Sequence, residues 1–302
     1  MLCTRFAPSP TGDLHLGGAW TALASWRLAR AHGGATVLRM EDIDMPRVVR
    51  GSAERIAEDL AWLGLGWDEG PTLGGPHAPY TQSERAAIYD RALAELGSAG
   101  LVYPCDCSRA EISRVASAPH AGEELIYPGT CRDAPKDRDM KRSPALRLRV
   151  PDGAMVVFDD LARGRVEQRV DVSVGDFVLR RGDGVYAYQL VVAVDDAAMR
   201  ISHVVRGGDL LASTARQILL MRLLGTAEQD IPSYVHVPMV VAPEGDRLAK
   251  RVGSATIREL RAKGVTAEAI TRELAQGLGL PTGAEPPSSW RKDRWPIPAK
   301  WA

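Results

Sequence analysis

The stretch RFAPSPTGDLHLGG, Arg5 to Gly18, sets two prolines, one histidine and a glycine pair within a short span. Pro8 and Pro10 fix φ and restrict the residues before them, so the chain must leave this segment in a defined direction. Gly17 and Gly18 lack a Cβ, which lets a ligand lie against a helix start, where unpaired N–H groups and the helix dipole favour phosphate. His15, just ahead of them, can donate a hydrogen bond to a phosphoryl oxygen. Far along the chain, RLAKR (247–251) lies in a polar, glycine-containing loop, where Lys250 would reach a polyphosphate as a mobile point charge. Each piece alone has a plainer reading, as a proline-containing turn with a surface histidine and as a basic loop.

The four cysteines, Cys3, Cys105, Cys107 and Cys131, are too few and too clustered for a disulfide-stapled domain. Cys105-x-Cys107 with Cys131 offers three thiolates, and a closed zinc site wants four ligands. Asp106, His120 and Tyr127 lie between them, and usual ligand preference favours His120. Cys3 suits a reduced cysteine packed in a core. His32, His77, His203 and His236 have no partner constellation and read as structural or surface residues. Asp195-Asp196 and Asp42/Asp44 look like paired carboxylates, but such pairs more often end strands and cap loops, and no metal is assigned to them.

The elements that must hold these groups follow from periodicity. Residues 2–7 read as a strand, 17–31 as an Ala/Leu-rich helix stopped at Gly33-Gly34, and 35–42 as a second strand. Such a β-α-β unit favours a parallel sheet with a ligand site at the strand C-termini. Helices are expected after Ser52 (Ile56, Leu60, Leu63) and after Ser83 (Ile88, Ala92, Leu96), each serine serving as N-cap. The character changes after Gly100: the Ser108/Glu111 pair is a capping box, and Leu146, Leu148 and Val150 alternate with Arg147 and Arg149. MVVFDD and RVEQRV read as one hairpin, and Asp183-Gly184 as the turn of another. Residues 1–102 and 175–245 are therefore expected to be two halves of one α/β domain. Residues 103–174 form an insertion, part metal knuckle and part antiparallel sheet, and 246–302 a loop, a helical region and a tail. In that last region Ser254 and Thr266 are candidate caps of helices running to about Gly264 and Gly277, before a proline-rich extended strap.

The chain has 302 residues, 45% of them hydrophobic, with 38 basic and 38 acidic residues. That supplies a substantial core and no global charge that would announce nucleic acid; only the C-terminal end is mildly basic. No run of about 18 apolar residues appears, and Arg5 and Pro8 stand where a signal peptide would be apolar, so a cytoplasmic protein with no membrane partner is expected.

The His15 and Lys250 elements, at opposite ends of an α/β domain, resemble the HIGH and KMSKS signatures of class I aminoacyl-tRNA synthetases. RFAPSPTGDLHLGG, RMEDID and VVRGGDLLAST are similar to the glutamyl branch in particular, and the resemblance covers roughly residues 3 to 275. Gly18 replaces the last histidine of HIGH; in RLAKR, Arg247 stands for the first lysine and Ala249 for the serine, while Lys250 is retained. The resemblance implies a Rossmann-like α/β catalytic domain with an inserted zinc-knuckle and antiparallel β subdomain and a short C-terminal helical region. It also implies attack of a glutamate carboxylate on the α-phosphate of ATP, giving glutamyl-adenylate and pyrophosphate, with His15 and Lys250 stabilising phosphoryl charge. Gly17 and Gly18 would meet the ATP, and Mg²⁺ would escort it.

For glutamate the resemblance implies Arg5 and Arg206 as carboxylate ligands, Tyr188 as hydroxyl donor and Glu41 as ammonium partner, with Phe6, Ala7, Pro8 and Ser9 lining the bend. These types suit a substrate with two carboxylates and one ammonium; the plainer reading is an Arg5–Glu41 ion pair and a core Tyr188. YPGTC matches a C-x-C…Y-x-x-x-C site, which implies Tyr127 as fourth ligand of one structural zinc with Cys105, Cys107 and Cys131. Only 51 residues follow Arg251, few for an anticodon-binding region. The expected partners are accordingly ATP, L-glutamate and queuosine-containing tRNA(Asp), whose modified base would receive the glutamate, and the expected state is a monomer. The alternatives are a truncated or split enzyme charging the 3′ end of tRNA(Glu), and a silent nucleotide- or tRNA-binding paralogue.

Overall fold

The computed structural model describes residues 1–115, 125–135, 137–241 and 255–279, and the backbone of 294–296. A six-stranded sheet runs β2-β1-β8-β9-β5-β6, built from β1 (Cys3–Phe6), β2 (Ala35–Leu38), β5 (Met155–Asp160), β6 (Gly164–Arg169), β8 (His203–Gly207) and β9 (Ser233–Val237). All neighbours pair parallel except the β5–β6 hairpin. A smaller antiparallel sheet joins β3 (Val102–Cys105), β4 (Ala145–Leu148) and β7 (Val178–Arg180), and β10 (Met239–Val241) pairs parallel with β11 (Arg294–Pro296). The helices are α1 (Leu16–Ala31), α2 (Ser52–Trp62), α3 (Ala86–Ser98), α4 (Arg109–Val115), α5 (Val170–Ser173), α6 (Tyr188–Ala198), α7 (Leu211–Leu223), α8 (Ile257–Ala262) and α9 (Ala267–Gly277). Among the described residues no helix is long and apolar enough to cross a membrane.

Alternation along the strands divides the main sheet into two faces. Leu38, Val205, Val235 and Val237 pack with α1, α2, α8 and α9 in one core. Val37, Val204 and Tyr234 point the other way, into a second core with α3, α6 and α7. Register puts Arg5 opposite Val37 and Arg206 opposite His236, so these polar side chains share the second face. The expected β-α-β unit is β1–α1–β2. Its helix ends where Gly33 takes φ +60°, and Gly34 allows close approach, since a Cβ there would stand 2.3 Å from the Leu2 carbonyl oxygen.

The structure departs from the sequence reading at several elements. The 155–169 hairpin, expected inside the insertion, extends the main sheet through the parallel Asp160–Tyr234 pairing; alternation in a hairpin predicts its own partner strand but not the sheet edge it joins. Ser52 is the first residue of α2, not its cap, which is Gly51 at φ +74°; the Ser52 hydroxyl hydrogen-bonds instead to the Gly12 backbone. Ser83 lies in a 3-10 turn before α3, and Asp42 accepts from both its backbone N–H and its hydroxyl. The Ser108/Glu111 box forms as expected, as does the Thr266 cap. Ser254 lies outside the described residues; α8 is capped by Thr256, whose capping box closes on Glu259.

Candidate active site

The C-terminal ends of β1, β2 and β8 and the start of α6 bring together the residues expected to bind glutamate. The loop after β1 runs beside the chain after β2: Arg39 N–H donates to the Phe6 carbonyl and Glu41 N–H to the Pro8 carbonyl. Ala7 is thereby fixed between two tethered neighbours, and Ser9 beyond them is exposed. Ser9, Glu41 and Tyr188 line a cleft of about 1270 Å³. Arg5 and Arg206 are buried, each 4% exposed. Burial pushes the Tyr188 phenol up from its ordinary value, and the charges it feels are those of Arg206, Glu41, Arg5 and Asp196. Both cations and the anion of the expected set thus act electrostatically on the Tyr188 hydroxyl.

The ion-pair reading of Arg5 and Glu41 gives way to a different pairing. Arg5 spans the carboxylate of Asp196, Nε to Oδ1 at 3.2 Å and Nη2 to Oδ2 at 3.4 Å. Glu41 accepts from Arg39 at 3.0 Å, and Arg39 also donates to Asp196 at 2.7 Å. Burial works against the Asp196 charge, but Arg5 and Arg39 outweigh it and hold this carboxyl below its ordinary range. Glu41 goes the other way: burial raises it more than Arg39 and Arg5 lower it. Asp195, beside Asp196 on α6, accepts from Arg85, Gln82 and Tyr89. These two aspartates therefore neither end a strand nor cap a loop; they are a buried hub on a helix.

Arg206 is held differently. Its Nε donates to His236 Nε2 at 3.0 Å, Nη1 to Gln217 Oε1 at 2.7 Å and Nη2 to Thr214 Oγ1 at 2.8 Å. His236, expected to be a structural or surface residue, is fully buried. Its Nδ1 lies 2.6 Å from Asp160 Oδ2. Burial pushes the imidazole below its ordinary value, and the Arg206 and Arg163 charges add to this against the pull of Asp160.

His15 stands at the N-cap of α1 in extended conformation and bridges antiparallel to Thr256. Leu16 N–H donates to the Ala255 carbonyl and Ile257 N–H to that of Leu14, so the segment before α8 clamps the start of α1. A Cβ on Gly17 would meet nothing within 4 Å, whereas one on Gly18 would meet the Leu14 side chain at 2.7 Å. Gly17 leaves open space at the helix start, and the place beside Gly18 is filled by the protein itself. Lys250, with Arg247 and Ala249, lies outside the described residues.

At the end of β3, the Cys105, Cys107 and Cys131 sulfurs all lie within 4.8 Å of one another. The Tyr127 hydroxyl is 3.3 Å from Cys105 Sγ and 3.7 Å from Cys107 Sγ. The guanidinium of Arg147 stacks 3.8 Å from its ring centre. Asp106, the other nearby oxygen donor, is occupied by Arg138 and the Lys141 N–H. Three thiols and one phenol therefore converge as a donor set suited to a tetrahedral soft cation. Burial raises the Tyr127 phenol, so a phenolate here requires a cation to balance it. His120 lies outside the described residues.

Residues 1–285 match the family described as tRNA synthetases class I (E and Q), catalytic domain. The chain belongs to this class I synthetase family. The synthetase is 50% identical over 294 residues to the glutamyl-Q tRNA(Asp) synthetase of Symbiobacterium thermophilum, covering 95% of this chain and 89% of that one. It is also 50% identical over 287 residues to the protein of that name from Nitratidesulfovibrio vulgaris, covering 93% and 87%. Its fold superposes on the glutamate-tRNA synthetase of Elizabethkingia anophelis with a TM-score of 0.79 at 30% identity, across 96% of this chain. The chain spans 65% of that longer protein. The family establishes a ligase of the class I synthetases and bears out the Rossmann-like parallel sheet.

Sequence reasoning missed Arg39, Arg85 and Asp160; it noticed the Asp195-Asp196 pair and His236 but gave them no part in the site. Their signal was faint: a charged residue inside an apolar run, as in LRMED or VVAVDD, must find a partner when buried. Which partner it finds is decided by neighbouring strands and helices remote in sequence.

Proposed function

We propose that this synthetase joins L-glutamate to ATP as glutamyl-adenylate and transfers the glutamyl group to the queuosine base of tRNA(Asp), without charging tRNA(Glu). The observation that carries the reading is the gathering of Arg5, Arg206, Glu41 and the Tyr188 hydroxyl at the end of the parallel sheet, and the names of the relatives point the same way. An oxygen of the glutamate α-carboxylate attacks the α-phosphorus in line. The bond from that phosphorus to the bridging oxygen breaks, and pyrophosphate leaves; acyl transfer to the modified base then releases AMP. Arg5 and Arg206 bind carboxylate, Tyr188 donates its O–H, Glu41 holds the ammonium, and Phe6, Ala7, Pro8 and Ser9 shape the bend. His15 and Lys250 act on the phosphates at the helix start marked by Gly17 and Gly18, with Mg²⁺ accompanying ATP, so positioning and charge neutralisation do most of the work.

One structural zinc, held by Cys105, Cys107, Tyr127 and Cys131, would fix the knuckle that walls the cleft. Residues 1–102 and 175–245, extended by the 155–169 hairpin, act as the catalytic body, the rest of 103–174 as the RNA-facing insertion, and 246–302 as the phosphate loop with its helices. The protein is taken to work as a cytoplasmic monomer.

Incubation with labelled glutamate, ATP and either tRNA(Glu) or queuosine-containing tRNA(Asp) tests the reading. Label is expected on tRNA(Asp) alone, and label confined to tRNA(Glu) would overturn the assignment. Glutamate-dependent ATP–pyrophosphate exchange that Lys250→Ala abolishes would exclude a silent paralogue. Arg206→Ala should cost about 2–5 kcal/mol in glutamate activation, because a buried carboxylate then lacks its cation.

A further inference from the structure

Two buried arginines of the proposed glutamate site are held by different kinds of partner. Asp196 clamps Arg5 directly, carboxylate to guanidinium, so much of that cation's field is already answered. The hydrogen bonds of Arg206 run to a neutral amide, a hydroxyl and an imidazole. The acid behind it, Asp160, is one ring away, on the far side of His236. A guanidinium has no lone pair to offer, so the Arg206 Nε–H must find an unprotonated Nε2. The imidazole proton then resides on Nδ1, 2.6 Å from Asp160 Oδ2. The opposite tautomer would set N–H against N–H at Arg206 and a bare nitrogen against a carboxylate.

We propose that Asp160 and His236 are positioning residues for Arg206: they lock one imidazole tautomer and so aim the guanidinium at a substrate carboxylate without cancelling its charge. The proposal rests on the reading of Arg206 as a glutamate ligand. The surroundings are built for it. Asp160 Oδ1 accepts from the Ala162 and Arg163 N–H groups at 2.9 and 2.8 Å. The Tyr234 ring lies parallel to the imidazole within 8°, centroids 6.2 Å apart, and 5.4 Å from the Arg206 guanidinium carbon. Thr214 Oγ1 stands 3.3 Å from Nε2, and Arg163 Nε donates to the His236 carbonyl. The charged groups facing the ring are thus Asp160 from β5, Arg206 from β8 and Arg163 from the β5–β6 turn, while α7 contributes the neutral Thr214 and Gln217. The hairpin that joins the main sheet is what brings Asp160 here.

The test combines kinetics and spectroscopy on the full chain. In ATP–pyrophosphate exchange, His236→Ala should raise the glutamate KM roughly tenfold or more, the worth of one hydrogen bond to a charged group, with the ATP KM within about twofold of wild type. His236→Gln, whose amide oxygen can stand in for Nε2, should restore most of the loss. Nitrogen-15 NMR of the histidine-labelled wild type should show Nδ1 protonated and Nε2 bare for His236, and Asp160→Asn should give a tautomer mixture. A wild-type Nε2–H tautomer would overturn the proposal, and this reading does not depend on any variant folding. An unchanged glutamate KM in His236→Ala, with a raised one in Arg206→Ala, would overturn it while leaving the function intact. An unchanged glutamate KM in Arg206→Ala itself would instead remove Arg206 from the substrate site, and the positioning role with it.

Discussion

Asp196 ties the stability of the fold to the placement of Arg5 and Arg39. It is 1% exposed and lies between Arg5 and Arg39, at 3.2 and 2.7 Å. Asp196→Asn leaves two buried guanidinium groups without their shared anion, and breaking a buried pair on one side costs about 3–5 kcal/mol. Urea unfolding at neutral pH should show that loss. The acid dependence has a defined sign. The folded pKa lies below the ordinary 3.8, so the contribution is complete above that value and fades as pH falls through the lower folded one. The variant should therefore approach the wild type in stability only under strong acid. Glu41, raised above 4.5 by burial, behaves oppositely: its ionisation costs stability as pH rises from 4.5 through the folded value. If it holds the substrate ammonium, glutamate kcat/KM should fall as pH drops through that same range, a limb absent in Glu41→Gln. Tyr188→Phe removes one hydroxyl and should cost about 0.5–1.5 kcal/mol in glutamate binding, read as glutamate KM against an unchanged ATP KM.

At the scale of elements, α8 braces the start of α1, where the phosphates are proposed to bind. Thr256 accepts from the Glu259 N–H, and the Glu259 side chain accepts from the Thr256 N–H. Thr256→Ala should cost about 0.5–2 kcal/mol, measured by urea unfolding. Because residues 255–257 clamp Leu14 and Leu16 around His15, the same change should raise the ATP KM more than the glutamate KM. The knuckle is a separate matter: its small core is Tyr103, Cys105, Tyr127 and Cys131, apart from the two cores of the main sheet. Metal analysis should find one zinc per chain, and Cys107→Ser should lose it. Glutamate activation should survive that loss better than transfer to RNA, since the sheet that holds the glutamate set packs elsewhere.

Across the whole molecule, one cleft connects the proposed glutamate site with the cysteine knuckle. It runs from Ser9, Glu41 and Tyr188 to Cys107 and Tyr127, with Arg47, Arg109 and Arg181 along its walls. Salt weakens phosphate contacts through counterion release, by roughly 0.7–0.9 in the log–log slope per phosphate neutralised. If RNA enters here, the transfer step should fall with KCl more steeply than ATP–pyrophosphate exchange does. Equal slopes for the two would place the RNA contacts away from these arginines. The neutral overall charge, 38 basic against 38 acidic residues, makes this local distribution the quantity that matters.

The sequence by itself determined the β1–α1–β2 unit, the bend at Pro8 and Pro10, the Ser108/Glu111 capping box and the cysteine pattern, because each is written in residues close together along the chain. RFAPSPTGDLHLGG also carried the family. Only the tertiary structure decided that the 155–169 hairpin belongs to the main sheet, that Asp195 and Asp196 are a buried hub, and that His236 stands between Asp160 and Arg206. The physical reason is common to all three. A buried charge or an unpaired strand edge is satisfied by whichever partner folding brings near, and those partners lie as far apart as Arg5 and Asp196 or Asp160 and His236.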